Sequence, residues 1–136
     1  MAAFLDSNVL IYSVDRTDST KNQTARKIVK AAAHGGAAYA ISIQTLTEFS
    51  NVCLKKLAMP PVSVVRFLRY FNQMSIVIPD AALVTRGVEI KALYGIQYYD
   101  AMMVAAAERA GMSEILTEDL GDGQLYCGVR AVNPFK

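Results

Sequence analysis

Several carboxylates in this chain stand where chemistry could use them. Asp6 breaks an apolar run in Phe4-Leu5-Asp6-Ser7-Asn8-Val9-Leu10-Ile11. Asp100 heads an Ala- and Met-rich stretch in Tyr98-Tyr99-Asp100-Ala101-Met102-Met103, Asp119 ends Leu116-Thr117-Glu118-Asp119, and Glu48 lies in Thr47-Glu48-Phe49. Gathered in one cleft, such acids would repel and raise one another's pKa. A hard divalent cation with a preference for oxygen, Mg²⁺ or Mn²⁺, removes that conflict. The same ion can turn a water into a nucleophile and stabilise charge on a phosphoryl oxygen, which suits phosphodiester hydrolysis. That chemistry needs no imidazole, in keeping with a chain whose only histidine is His34.

Whether the acids meet depends on the elements that carry them. Ala3-Phe4-Leu5, Ala38 to Ile41, Ile76-Val77-Ile78, Glu114 to Thr117 and Val129 to Val132 read as short apolar strands. Between them lie helical patterns over Thr20 to Ala33, over Ser42 or Gln44 to Lys56, over about Val62 to Met74, and from an Asp80 cap to Leu93. A further helix follows Tyr98-Tyr99-Asp100 and closes at Gly111. Strands alternating with helices predict an α/β domain over residues 1–136, with a central parallel sheet of four to five strands. In such sheets ligands bind beyond the carboxyl ends of the strands, where strand order reverses. Asp6 and Asp119 must then share one edge, and the head of the Asp100 helix can reach it.

Each acid also has an ordinary role open to it. Asp6-Ser7-Asn8 fits a helix cap or a turn, and Asp100 fits a first-turn position favoured by the helix dipole. Strand alternation puts Thr117 and Asp119 on one side and so favours Asp119 over Glu118. Thr117 is placed to hydrogen-bond a site carboxylate or water, or simply to pack. Glu48 lies off the Leu46/Phe49/Cys53 face and reads by pattern as a solvated charge. Asp122 remains a candidate neighbour of Asp119. Lys21, Arg26, Lys27 and Lys30, with Arg66 and Arg69, form wet faces or phosphate contacts. Tyr94, Tyr98 and Tyr99 either stack on bases or pack.

The totals bound the rest. Apolar residues make up 53% and charged residues 19%, enough for a full core and against disorder. A net charge of +2 neither requires nor excludes a nucleic acid. Cys53 and Cys127 form no CxxC or Cys/His cluster, which argues against structural zinc and for a reducing compartment. Neither a signal-peptide pattern nor a membrane-length apolar run is present, so the expectation is a cytoplasmic protein with no membrane partner. The GxxxxGK[ST] loop of nucleotide-binding domains is missing. A receiver domain would also cluster acids around Mg²⁺, but the very early Asp6 and the Glu48 helix fit it poorly.

Taken together, LDSNVLIY, Thr47-Glu48-Phe49, YYDAMMVAAAERAG, LTEDL and the closing VNP resemble, in order and spacing, the PIN-domain ribonucleases, and among them the VapC-type toxins of toxin–antitoxin pairs. The resemblance spans essentially the whole chain. It implies a three-layer α/β/α domain and a Mg²⁺- or Mn²⁺-dependent endoribonuclease. Carried over motif by motif, Asp6, Glu48, Asp100 and Asp119 become the acidic quartet. Asp6, Asp100 and Asp119 become metal ligands, with Asn8 and Thr117 in support. It further implies an RNA substrate, a cognate antitoxin and a homodimer. Ser7 departs from the threonine common at that position, and Glu118 is an extra acid in the last motif. The alternatives are a structure-specific DNA nuclease and a non-catalytic PIN-like module that binds RNA or protein. The first needs insertions for which 136 residues leave little room; the second would be favoured by loss of a quartet acid.

Overall fold

The computed structural model describes residues 2–136. The chain enters through β1 (Ala3–Leu5), whose three residues are all buried. It turns at Asp6 into α1 (Ser7–Val14) and then α2 (Ser19–His34). β2 (Tyr39–Ser42), α3 (Ile43–Lys55), α4 (Pro61–Phe71) and β3 (Ser75–Val77) follow. α5 (Ala81–Tyr94), α6 (Tyr98–Arg109) and β4 (Glu114–Leu116) lead to the terminal strands β5 (Leu125–Tyr126) and β6 (Val129–Val132).

Local chemistry sets most of these boundaries. Asp18 and Asp80 cap α2 and α5 by accepting from Lys21 N and Leu83 N. Ser42 caps α3 through a reciprocal pair of bonds with Thr45. Pro61 starts α4, where its missing N–H is of no consequence. Gly95, at φ +66°, ends α5 in the left-handed conformation that a side chain would oppose.

The sheet order is β3-β2-β1-β4-β6-β5. All neighbours run parallel except β5, which pairs antiparallel with β6. The sheet thus has six strands, against the four to five expected from sequence. The extra one is the two-residue β5, folded back on β6 through Cys127 and Gly128. Both turn residues have positive φ, 51° and 82°, as the tight turn favoured in hairpins requires. Nor did the sequence reading assign Val9-Leu10-Ile11 to an element; those residues form α1.

Alternation along the strands divides the core. Phe4, Ala40, Ile115 and Ala131 face α5 and α6, whereas Leu5 and Ile41 face α1 through α4. The α/β/α layering expected from the sequence is what the chain adopts. Chain order reverses between β1 and β4, since the path leaves β1 toward β2 and β3 and returns on its other side. That reversal opens a crevice at the carboxyl ends of β1 and β4.

Phe49 ties α3 to this frame. It is fully buried and packs edge-on against Phe71 at 4.9 Å and Phe67 at 6.2 Å between ring centroids. Its neighbour Glu48 is thereby aimed toward the crevice. We expect Phe49→Ala to destabilise the fold by about 3–5 kcal/mol. Urea unfolding followed by circular dichroism would show this as a lower midpoint with an unchanged slope.

Candidate active site

Asp6 sits at the end of β1, where its N–H extends the ladder to the Leu116 carbonyl at 3.1 Å. Its backbone is extended, and its carboxylate accepts from Ser7 N at 2.6 Å, which makes it the N-cap of α1. Only 7% of Asp6 is exposed. A buried carboxylate needs donors, and the neighbouring side chains supply them. The Thr117 hydroxyl donates to Oδ2 at 2.7 Å and Asn8 Nδ2 at 3.1 Å, while the Ser7 hydroxyl donates to Oδ1 at 3.3 Å. The cap reading of Asp6 therefore holds, and the same carboxylate also takes a hydrogen bond from Thr117, far along the chain.

From Asp6 the network spreads to the other acids. Asn8 Nδ2 also reaches Asp119 Oδ2 at 3.3 Å, and Thr117 Oγ1 accepts from Asp119 N at 3.0 Å. Ser7 Oγ reaches Glu48 Oε2 at 3.4 Å. Gln44 Nε2 holds Glu48 Oε1 at 3.0 Å and the Tyr99 carbonyl at 3.2 Å. Asp100, in the first turn of α6, is half-buried and has no side-chain hydrogen bond among those found for the described residues. Asp6, Glu48, Asp100 and Asp119 thus meet at one edge of the sheet.

The electrostatics agree with this convergence. Burial, opposed by the Thr117 hydrogen bond and reinforced by the charges of Asp119 and Glu48, raises the Asp6 pKa to about 6. Burial, then Asp119 and Glu48, raises that of Asp100. Glu118 and Asp122 stand outside the group. Glu118 accepts from the Tyr12 hydroxyl at 2.6 Å and pairs with Lys21 at 3.0 Å. Asp122 accepts from Asn133 N and pairs with Lys136, fastening the end of the chain. Ser7 and Gln44 were not placed in the site from sequence. The i,i+4 spacing of Gln44 and Glu48 on one helix was the available signal for Gln44.

The donor set fits a hard divalent cation. It is all oxygen, and none of the ion pairs among the described residues involves these four acids. Asn8 Oδ1 is buried without a hydrogen-bond partner, a carbonyl oxygen left with nothing positive against it. As they stand, no three His, Cys, Asp or Glu among the described residues are drawn together tightly enough to hold an ion. A cavity of about 550 Å³ lies elsewhere, between α2 and α4, and is lined by Arg26, Lys27, Lys30 and Phe67 among others. A second, of about 480 Å³, opens beside Glu48. No helix among the described residues is long and apolar enough to cross a membrane.

The family model of the PIN domain matches residues 3–121, from β1 past Asp119. The chain belongs to the PIN-domain family. PIN domains are nucleases, and the match covers all four acids. Solved PIN-type structures share the fold. A chain of a toxin–antitoxin complex from Klebsiella pneumoniae aligns with a TM-score of 0.69 and 23% identity over 98% of each chain. VapC20 from Mycobacterium tuberculosis, described as a sarcin-ricin loop cleaving toxin, aligns at 0.68 and 15% identity over 95% of this chain and 99% of its own. DNA-bound VapBC from Salmonella typhimurium gives 0.67 and 20% identity over 96% of each. No curated protein sequence matches significantly.

The folded state of this PIN domain holds the Asp6 proton more tightly than the unfolded chain does. That contribution to stability is complete below about pH 3.8 and is lost as pH rises through about 6. The shift corresponds to roughly 3 kcal/mol at most. In chelator-treated protein, Asp6→Asn should therefore gain stability relative to wild type on going from pH 5 to pH 7. Denaturant melts of the two proteins across that range would measure the difference.

Proposed function

We propose that this PIN domain is a Mg²⁺- or Mn²⁺-dependent endoribonuclease, the toxin of a type II toxin–antitoxin pair. The observation that supports it best is the Asp6 carboxylate. It is buried at the reversal of strand order and linked through Ser7 and Asn8 to Glu48 and Asp119, with Asp100 close by and no ion pair to any of the four among the described residues. A fold would not sustain that charge for stability alone. The retention of all four acids also speaks against a non-catalytic module.

Asp6, Asp100 and Asp119 are the proposed metal ligands. When bound, the cation supplies an acidified water and stabilises charge on a phosphoryl oxygen. The chain's own work is positioning. Thr117 fixes Asp6 by donating to it and Asp119 by accepting from its backbone. Asn8 spans the same two carboxylates from the other side. Glu48, exposed and steered by Gln44, orients the attacking water. Attack in line with the scissile P–O3′ bond leaves a 5′-phosphate and a 3′-hydroxyl. Asp100, in the first turn of α6 and with no side-chain hydrogen bond among the described residues, is free to serve as a ligand, and a bound cation would offset the burial and neighbouring charge that raise its pKa.

The antitoxin partner is proposed on the likeness to chains from toxin–antitoxin complexes. A small adjacent gene encoding a protein with a DNA-binding end is the expected sign of it.

We expect Mn²⁺ to raise the melting temperature of wild type and to support cleavage of labelled RNA. Asp100→Asn should keep its circular dichroism spectrum, lose the Mn²⁺ stabilisation and lose more activity than the roughly 10–100-fold typical of a residue behind the ligands. Equal cleavage by the two proteins would reject the assignment. Chelation of wild type should abolish cleavage, and added Mn²⁺ should restore it.

A further inference from the structure

Three tyrosines cluster around the helix that bears Asp100, and the structure separates them. The Tyr94 hydroxyl accepts from Cys127 N at 2.8 Å, and its ring packs edge-on against Tyr126 at 5.2 Å. Tyr98 packs partly buried against the core. Tyr99, 61% exposed, is held only edge-on by Tyr98 at 5.2 Å, and its hydroxyl makes no hydrogen bond among the described residues. It is the residue before Asp100, and it is one of the residues that line the cavity of about 480 Å³ that opens beside Glu48.

That cavity is joined to the acids by covalent and hydrogen-bonded links. Glu48 belongs to both, and Gln44 binds Glu48 and the Tyr99 carbonyl with one amide nitrogen. Its floor is apolar, with Leu83 and Met102, and no lysine or arginine lines it. A phosphate or an acidic peptide does not fit a pocket with a carboxylate at its mouth and no cation. A nucleobase does. Tyr99 offers an aromatic face, and the Gln97 amide, which caps nothing although Gln97 stands at the helix N-cap, is available for the edge of a base.

Resting on the reading of the acid cluster as an RNA-cutting site, we propose that this pocket receives an unpaired nucleobase adjoining the bond that is cut. Tyr99 stacks on the base and Gln97 reads its edge. Along an RNA strand a base hangs one sugar away from its phosphate, so a base in this pocket sets the neighbouring phosphate before the four acids. A paired base stays in its helix and cannot enter, so only a base outside a duplex reaches Tyr99 and Gln97.

The test separates binding from cutting. The probe is a uridine decamer with one central 2-aminopurine ribonucleotide, titrated with full-length Asp100→Asn protein. Stacking should quench the probe. Adding Tyr99→Ala should remove the quench and weaken binding roughly tenfold, whereas adding Tyr99→Phe should preserve both. Equal quenching with Tyr99→Ala would overturn the proposal. So would a Tyr99→Ala effect confined to self-association in sedimentation, which would assign the pocket to a second copy of the chain. If wild type with Mn²⁺ cuts no RNA while quenching still depends on Tyr99, the nuclease reading falls and the pocket stands. If wild type and Tyr99→Ala cut the same bonds equally well, the pocket falls and the nuclease reading stands.

Discussion

A carboxylate buried among other carboxylates is the constraint around which this fold is arranged. Removing Asp6 from water is unfavourable, and the charges of Asp119 and Glu48 add to the cost. What offsets it is a set of donors from two places. Ser7 and Asn8 come from the first turn of α1, directly after β1. Thr117 comes from the end of β4, 111 residues away along the chain. The parallel register that sets Leu5 opposite Leu116 is therefore a condition for the site as well as for the sheet. A shift of one residue would turn the Thr117 hydroxyl to the other face and leave Asp6 without its shortest side-chain donor.

The same constraint explains the short first helix. Asp6 must leave the sheet plane at once, and α1 lets its carboxylate accept the first helical N–H while the chain changes direction. Val9 and Leu10 then bury themselves beneath the sheet face lined by Leu5 and Ile41. One short segment holds the acid, supplies two of its hydrogen-bonding partners and anchors itself in the core.

Much of this was legible in the sequence because the signals were local. The strand alternation, the cap at Asp80 and the acids after the strands all depend on near neighbours. The features that were missed depend on distant ones. The Val9-Leu10-Ile11 run fits a strand or a helix equally well at that length, and only the burial of both flanks decides. β5 is too short to carry a period, and its Cys-Gly turn lacks the usual Asn or Asp. Glu48 looked like a solvated charge, and it is indeed exposed. What gives it meaning is Ser7, 41 residues earlier, a separation that no helical wheel contains. The Ser7 hydroxyl stands between the two acids, 3.3 Å from Asp6 Oδ1 and 3.4 Å from Glu48 Oε2, and its single proton serves one of them at a time.

Glu118 shows how the chain distributes charge. It stands next to Asp119, and on composition alone either could face the groove. The backbone sends them apart. Asp119 shares Asn8 with Asp6, whereas Glu118 is drawn away by Tyr12 and by Lys21, whose ammonium also lies 4.8 Å from the centre of the Tyr12 ring. Lys21 thus pairs with the acid outside the cluster, and among the described residues no ion pair reaches the four inside it. Were stability the only demand, pairing the buried acid would be the better use of a cation, because its pKa is the one raised most plainly by burial. The opposite choice concentrates uncompensated negative charge where the strand order reverses. A protein sustains such a local cost where the charge itself is the working part.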